Sequence, residues 1–247
     1  VFDVNTARES KIESFSSYTY SPEESKILIA TERNPIYRHS YTAVHYIFHV
    51  ERNVLEPLSD GGPQQAPVFS PDGYLIAFVR DYNIYLVKLL YGNSESQVTS
   101  DGKFNKILNG IPDWVYEEEF GFNRALEFSA DSKMLAYIKF DESKVKSYSF
   151  PIFAGEAPKT NAYELYPGQY TYKYPKAGEV NSNVGVYSFD IKSMVTRKLE
   201  VPLGQEDYIP RIRFTKDADK LAVFTLNRHQ NRLDLYFVNP RSTVAKL

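Results

Sequence analysis

The densest chemistry in the chain lies at residues 109–120, Asn-Gly-Ile-Pro-Asp-Trp-Val-Tyr-Glu-Glu-Glu-Phe. This stretch holds the only tryptophan, Trp114, and three consecutive glutamates, Glu117, Glu118 and Glu119. Adjacent carboxylates repel one another and raise one another's pKa. An ammonium group at hydrogen-bond distance relieves that repulsion through charge-assisted bonds, so the run suits a cation. A solvated acidic turn is the competing reading, in which the charges do nothing but face water. The four histidines are His39, His45, His49 and His229. The i, i+4 spacing of His45 and His49 would suit a metal on a helix. Here, however, they bracket Tyr46-Ile47-Phe48 in a strand pattern, where such residues share a face but lie about 13 Å apart. That exceeds the reach of one ion, so no metal site and no cofactor is expected. Cysteine is absent, which excludes disulfides, cysteine-ligated zinc and a thiol nucleophile.

The elements that must position these groups read as strands. One composite pattern recurs: an aromatic residue, a Ser-Pro-Asp-Gly-like turn, then an apolar run. Its copies are Phe69-Ser70-Pro71-Asp72-Gly73 leading into Tyr74–Phe78, Tyr20-Ser21-Pro22-Glu23 leading into Ile27–Ala30, Phe128-Ser129-Ala130-Asp131 leading into Met134–Tyr137, and Phe214-Thr215-Lys216-Asp217 leading into Leu221–Phe224. Proline presets φ for a turn, aspartate bonds the nearby backbone, and glycine accepts positive φ, so each copy predicts a β-hairpin. A third, alternating strand follows at Asn83–Val87, Val186–Asp190 and Leu233–Val238. A fourth follows at Val54–Leu58 and Arg197–Glu200. Four-stranded units repeating at roughly 40–50 residues predict an all-β chain of antiparallel β-propeller blades. The competing architecture is a β-sandwich with coincidental turns. Residues 1–247 are expected to form one partial propeller domain of about four blades, with insertions near 105–123 and 141–185. A short helix over Asp113–Phe122 is the one expected departure from strand.

Composition agrees. The 20 Tyr and 16 Phe favour a pleated, half-buried surface. A formal net charge of −2, with Lys and Arg scattered, argues against nucleic acid and anionic membranes as partners. No apolar run approaches the roughly 20 residues that span a bilayer, and no signal peptide is expected at the first residues. Val1–Val4 reads as a strand fragment, so the chain is expected to begin inside a larger protein.

Three segments carry a resemblance. Asp113-Trp114-Val115-Tyr116-Glu117-Glu118-Glu119 is similar to the double-glutamate motif of the dipeptidyl peptidase IV family. Tyr37-Arg38-His39-Ser40-Tyr41-Thr42-Ala43 resembles that family's Arg-His-Ser-Tyr-Thr-Ala stretch, and Tyr174-Pro175-Lys176-Ala177-Gly178-Glu179-Val180-Asn181 its Tyr-Pro-Lys-Ala-Gly stretch. They occur in the expected order, and the resemblance covers about Ser21 to Phe237. It implies that Glu118 and Glu119, the second and third of the run, bind the free N-terminal ammonium of a peptide substrate. It implies that Arg38 contacts the substrate's backbone carbonyl, a role that suits a permanently charged group with five fixed donors. Phe120 follows Glu119 directly, where the family often has one more residue.

The same resemblance implies about half of an eight-bladed propeller, homodimer formation through propeller insertions near residues 174–181, and a periplasmic or extracellular parent. It implies a serine exopeptidase that releases N-terminal Xaa-Pro and Xaa-Ala dipeptides. The family's catalytic α/β-hydrolase domain is absent from this chain: no Gly-x-Ser-x-Gly nucleophile elbow occurs in it, and no β/α alternation exists to hold one. The chain is therefore expected to be inactive alone and to work with the missing α/β-hydrolase domain of the same parent. The alternatives are a non-catalytic propeller acting as an interaction scaffold, a closed four-bladed lectin-like module, and a propeller glycosidase. The last requires two carboxylates roughly 5–9.5 Å apart and fits adjacent glutamates poorly.

Overall fold

The computed structural model describes residues 3, 8–90, 92–153, 155–156, 159–160 and 166–247. Most of the Val1–Val4 segment lies outside them. The described chain is all-β and propeller-like. Its first unit holds β1 (Arg8–Glu9), β2 (Ser17–Tyr20), β3 (Lys26–Pro35), β4 (Tyr41–His49) and β5 (Val54–Pro57). The second holds β6 (Gln64–Phe69), β7 (Leu75–Arg80), β8 (Asn83–Lys88) and β9 (Ser94–Gln97). The third begins with β10 (Ile107–Asn109), the helix α1 (Trp114–Phe120), β11 (Leu126–Phe128) and β12 (Met134–Asp141). It continues through β13 (Ser147–Ile152), β14 (Gly155–Glu156), β15 (Lys159–Thr160) and β16 (Gly168–Lys173) to β17 (Asn183–Asp190) and β18 (Val195–Lys198). The fourth holds β19 (Tyr208–Phe214), β20 (Leu221–Leu226), β21 (Leu233–Val238) and β22 (Ala245–Lys246).

Each unit is an antiparallel meander, β2-β3-β4-β5, β6-β7-β8-β9, β11-β12-β17-β18 and β19-β20-β21-β22. All four turn motifs close the first hairpin of a unit. In three of them a serine hydroxyl anchors the turn: Ser21, Ser70 and Ser129 Oγ accept from the backbone N–H of Lys26, Leu75 and Met134 at 3.0, 3.0 and 2.9 Å. Asp72 and Asp131 in turn accept from Ser70 and Ser129 Oγ at 2.5 and 2.6 Å. The second strands Ile27–Ala30, Leu75–Val79 and Met134–Ile138 are buried on both faces: neighbouring units cover the latter two, whereas Leu28 faces the second unit and Ile27 and Ile29 pack within the first, against Phe48, Leu55 and Ile12. One continuous core joins the second, third and fourth units, and a smaller cluster joins the first to the second. On β21, Leu233, Leu235 and Phe237 alternate with buried Tyr236 and Val238 and present an exposed apolar row. No helix among the described residues is long and apolar enough to cross a membrane.

Both expected insertions interrupt the third unit. The first splits the inner strand: β10 pairs with Lys139–Asp141 of β12 and β11 with Leu135–Tyr137, so α1 is a loop-out from one strand position. Gly110 sits at the departure point with φ +74°, and an added Cβ would meet Leu126 and Ile84 at 2.9 and 3.0 Å. Its backbone nevertheless keeps the ladder continuous, donating to Ile138 O at 3.0 Å and accepting from Ala125 N at 2.8 Å. The second insertion carries the two-stranded β13–β16 ribbon between β12 and β17. The register between β3 and β4 slips between Thr31 and Asn34, where Glu32 takes φ 48°. Such a bulge bends a strand and re-aims the residues after it; here those residues form the 36–40 turn carrying Arg38.

Candidate functional site

The acidic run forms the helix that the sequence predicts, shortened to Trp114–Phe120. Asp113 caps it, accepting from Tyr116 N at 2.9 Å, and Gly121 ends it in the left-handed conformation at φ 66°. A side-chain acceptor at the N-cap and an αL glycine past the end satisfy the backbone groups a short helix leaves open. Asp113 is buried, and Ser182 Oγ donates to its other oxygen at 2.5 Å. Desolvation pushes the Asp113 carboxyl above the usual carboxylate range, against the hydrogen bonds that favour its ionised form.

The helix is held on three sides. Tyr116, 1% exposed, packs edge-on against Phe140 at 4.8 Å and beside Phe120 at 5.1 Å, and its hydroxyl accepts from Ile209 N of the fourth unit at 3.1 Å. Arg211 donates to Phe120 O at 3.0 Å. Trp114 lies against Tyr174 at 4.3 Å between ring centroids. The Tyr174–Asn181 segment is thus a buttress for α1: Asn181 donates to Tyr208 Oη at 2.7 Å, and Arg228 donates to Glu179 O at 2.7 Å. The sequence pattern alone assigns that segment no such contact; aromatic residues on both sides of the insertion are the available signal.

The three glutamates separate into two kinds. Glu117 is turned inward, 1% exposed, and one of its oxygens accepts from the backbone N–H of both His39 and Ser40, at 2.7 and 2.8 Å. That carboxylate holds the turn between β3 and β4. The same turn is closed by Ile36 N donating to Ser40 O at 2.9 Å, and Asn123 donates to His39 O at 3.1 Å. Glu118 and Glu119 remain on the open side. Arg38, at the tip of that turn and largely exposed, donates from Nε to Glu118 Oε2 at 2.8 Å. The structure therefore brings Arg38 and Glu118 together across 80 residues of sequence, with Glu119 exposed on the next helical position. Two carboxylates and one guanidinium leave a formal charge of −1, which matches a single ammonium.

Nothing in the sequence pattern marks Glu117, the first member of the run, as a working residue; its role emerges from the fold. Its contribution is measurable. Glu117→Ala strands two backbone donors, one of them in buried Ser40, at a cost of about 2–3 kcal/mol. Glu117→Gln keeps an acceptor oxygen and is expected to lose about half as much. Denaturant unfolding of the three proteins checks this; equal stability of Glu117→Ala and wild type would show that the turn stands without the carboxylate.

His45 and His49 have separate partners. His45 Nδ1 meets Gln64 Oε1 at 3.0 Å, and His49 Nε2 meets Glu56 Oε1 at 2.7 Å. Burial lowers the His45 pKa. Among the described residues no group of three or more His, Asp and Glu side chains is arranged to hold a metal.

Residues 21–247 match the family model described as dipeptidyl peptidase IV (DPP IV) N-terminal region. The chain is 35% identical over 239 residues to a probable dipeptidyl-aminopeptidase B of Emericella nidulans, covering 92% of this chain and 26% of that protein. It is 37% identical over 234 residues to a probable dipeptidyl-aminopeptidase B of Colletotrichum graminicola, covering 92% of this chain and 25% of that one. Among solved structures, Porphyromonas gingivalis dipeptidyl peptidase 4 superposes with a TM-score of 0.93 at 45% identity, over 100% of this chain and 34% of that one. A putative dipeptidyl aminopeptidase IV from Bacteroides ovatus, with TM-score 0.65 and 19% identity, shares the fold. The chain spans about a quarter of the length of the curated relatives it matches.

Proposed function

This chain belongs to the family of dipeptidyl peptidase IV N-terminal regions, and from that premise we propose that it is the substrate-anchoring propeller portion of a DPP IV-type serine exopeptidase. In this reading residues 1–247 form part of a larger propeller, and the exposed row Leu233, Leu235 and Phe237 suits packing of a further sheet. Glu118 and Glu119 clamp the α-ammonium of a peptide, and Arg38 orients its first carbonyl. A serine on an α/β-hydrolase domain outside this chain attacks the carbonyl carbon of the second residue, so a dipeptide leaves. A ruler that starts at the N-terminus explains removal of dipeptides rather than internal cleavage, because binding energy at the ammonium positions the scissile bond. The observation that carries the reading is the inward turn of Glu117, which fixes the Arg38 turn and leaves the other two carboxylates open beside the guanidinium. The same family reading puts the parent in the periplasm or outside the cell, and a homodimer through the propeller insertions belongs to it as well.

The test is an assay of the full-length parent on Gly-Pro-p-nitroanilide with a free or an acetylated N-terminus. Acetylation removes the ammonium and with it the charge-assisted bonds to Glu118 and Glu119, so kcat/KM is expected to fall more than about 100-fold. Equal turnover of the two substrates would remove the clamp. No turnover of either by the folded parent would favour a scaffold role.

A further inference from the structure

Beside the clamp lies a second cavity, of about 330 Å³, between the first three units. It shares Tyr37 with the Arg38 turn. One wall is the stacked pair Tyr82 and Phe104, 5.7 Å between centroids, and Tyr37 and Tyr170 add two more rings. Two acidic side chains, Glu142 and Asp81, line it, and no lysine or arginine does so among the described residues. Glu142 is 5% exposed, and its carboxyl makes no hydrogen bond or ion pair within 4 Å among the described residues. A buried acid facing a cavity of aromatic rings is left there without a partner. Aromatic faces attract cations electrostatically, and a buried carboxyl with no cation beside it is driven towards its neutral form, which a cation reverses.

We propose that this cavity is a second cation site, which takes a small organic ammonium ion between the Tyr82–Phe104 wall and the Glu142 carboxylate. The charged groups acting on Glu142 agree with this ligand. Asp113 and Asp141 add negative potential. Lys173 acts in the opposite direction, and its ammonium donates to Val145 O at 2.6 Å. With the site empty, burial first and Asp113 second push the Glu142 carboxyl up to about 8. Tyr37, Tyr82 and Tyr170 are pushed upward by burial and so stay neutral. Binding a cation therefore expels a proton from Glu142 wherever the pH lies below about 8.

Titration of the full-length protein with tetramethylammonium chloride, followed calorimetrically against sodium chloride at equal ionic strength, tests the site. This probe has no proton of its own to lose. One site is expected, with affinity rising about tenfold per pH unit from pH 6 towards 8 and levelling above that. Glu142→Gln should abolish binding, Tyr82→Ala should weaken it at least about threefold, and Glu118→Ala/Glu119→Ala should leave it unchanged. Absence of binding at every pH, or binding indifferent to pH and to Glu142→Gln, would overturn the proposal. Loss of binding in the Glu118→Ala/Glu119→Ala protein would also overturn it, by moving the ion to the clamp. The wild-type pH profile stands as a test even if a variant fails to fold.

Discussion

Replacing Glu118 and Glu119 together by alanine in the full-length protein is expected to lower kcat/KM for Gly-Pro-p-nitroanilide by about 10³-fold while leaving unfolding nearly unchanged. Each charge-assisted hydrogen bond to the substrate ammonium contributes about 1.5–3 kcal/mol, so losing two costs about 3–6 kcal/mol, and each 1.4 kcal/mol is a factor of ten. The Arg38–Glu118 ion pair adds to the effect. With both carboxylates gone, the Arg38 guanidinium is no longer neutralised, and the site changes from a formal −1 to +1. An incoming ammonium is then repelled. Stability should change by less than about 1 kcal/mol, because Arg38 is largely exposed and such a pair is worth little to folding. Conservative replacement by Gln at both positions should recover little, since a neutral amide oxygen lacks the charge. Steady-state kinetics alongside denaturant unfolding separates the outcomes. Full activity in the double variant would remove Glu118 and Glu119 from substrate binding; a stability loss as large as the kinetic one would make them structural.

Tyr116→Ala is expected to be the most damaging single substitution for folding, at about 3–5 kcal/mol. The ring is 1% exposed and meets Phe120, Phe122, Phe140 and Tyr208 at centroid distances of 5.1, 6.2, 4.8 and 6.0 Å. It therefore joins α1 to both the third and fourth units. Tyr116→Phe keeps the packing, and removes only the hydroxyl that accepts from Ile209 N. It should cost about 1–2 kcal/mol, the penalty of one buried donor left unmatched. Equilibrium unfolding in urea of the two variants gives the comparison, with hydrogen exchange at β19 as a local reading of the lost hydrogen bond. A loss under about 1 kcal/mol for Tyr116→Ala would mean that this aromatic cluster does not hold the two units together.

Much of the fold was legible from residue types because the determining interactions are local. The Ser-Pro-Asp-Gly turns close within five or six residues through their own side chains, as Ser70 and Asp72 do, so every partner lies within one short stretch of sequence. The short helix was equally visible, since Asp113 and Gly121 cap it from adjacent positions. The division of the third unit's inner strand into β10 and β11 was not legible. Its cause is pairing with one later strand, β12, on both sides of a looped-out helix.

The sequence by itself determined that three carboxylates stand on one short helix and that Arg38 lies in a separate segment, 80 residues before Glu118. Only the tertiary structure decided what each does. Glu117 differs from its neighbours in no chemical respect. It became a structural acceptor because its helical position faces the His39–Ser40 backbone, 77 and 78 residues away, where two donors would otherwise be left unpaired. Glu118 met Arg38, and Glu119 stayed open, for the same geometric reason. Likewise Glu142, an ordinary acidic residue at the end of a strand in the sequence, acquired its perturbed carboxyl from burial in a cavity that three separate units enclose. Local turns are encoded by neighbours along the chain; the protonation and roles of identical side chains are set by which distant backbone and rings fold against them.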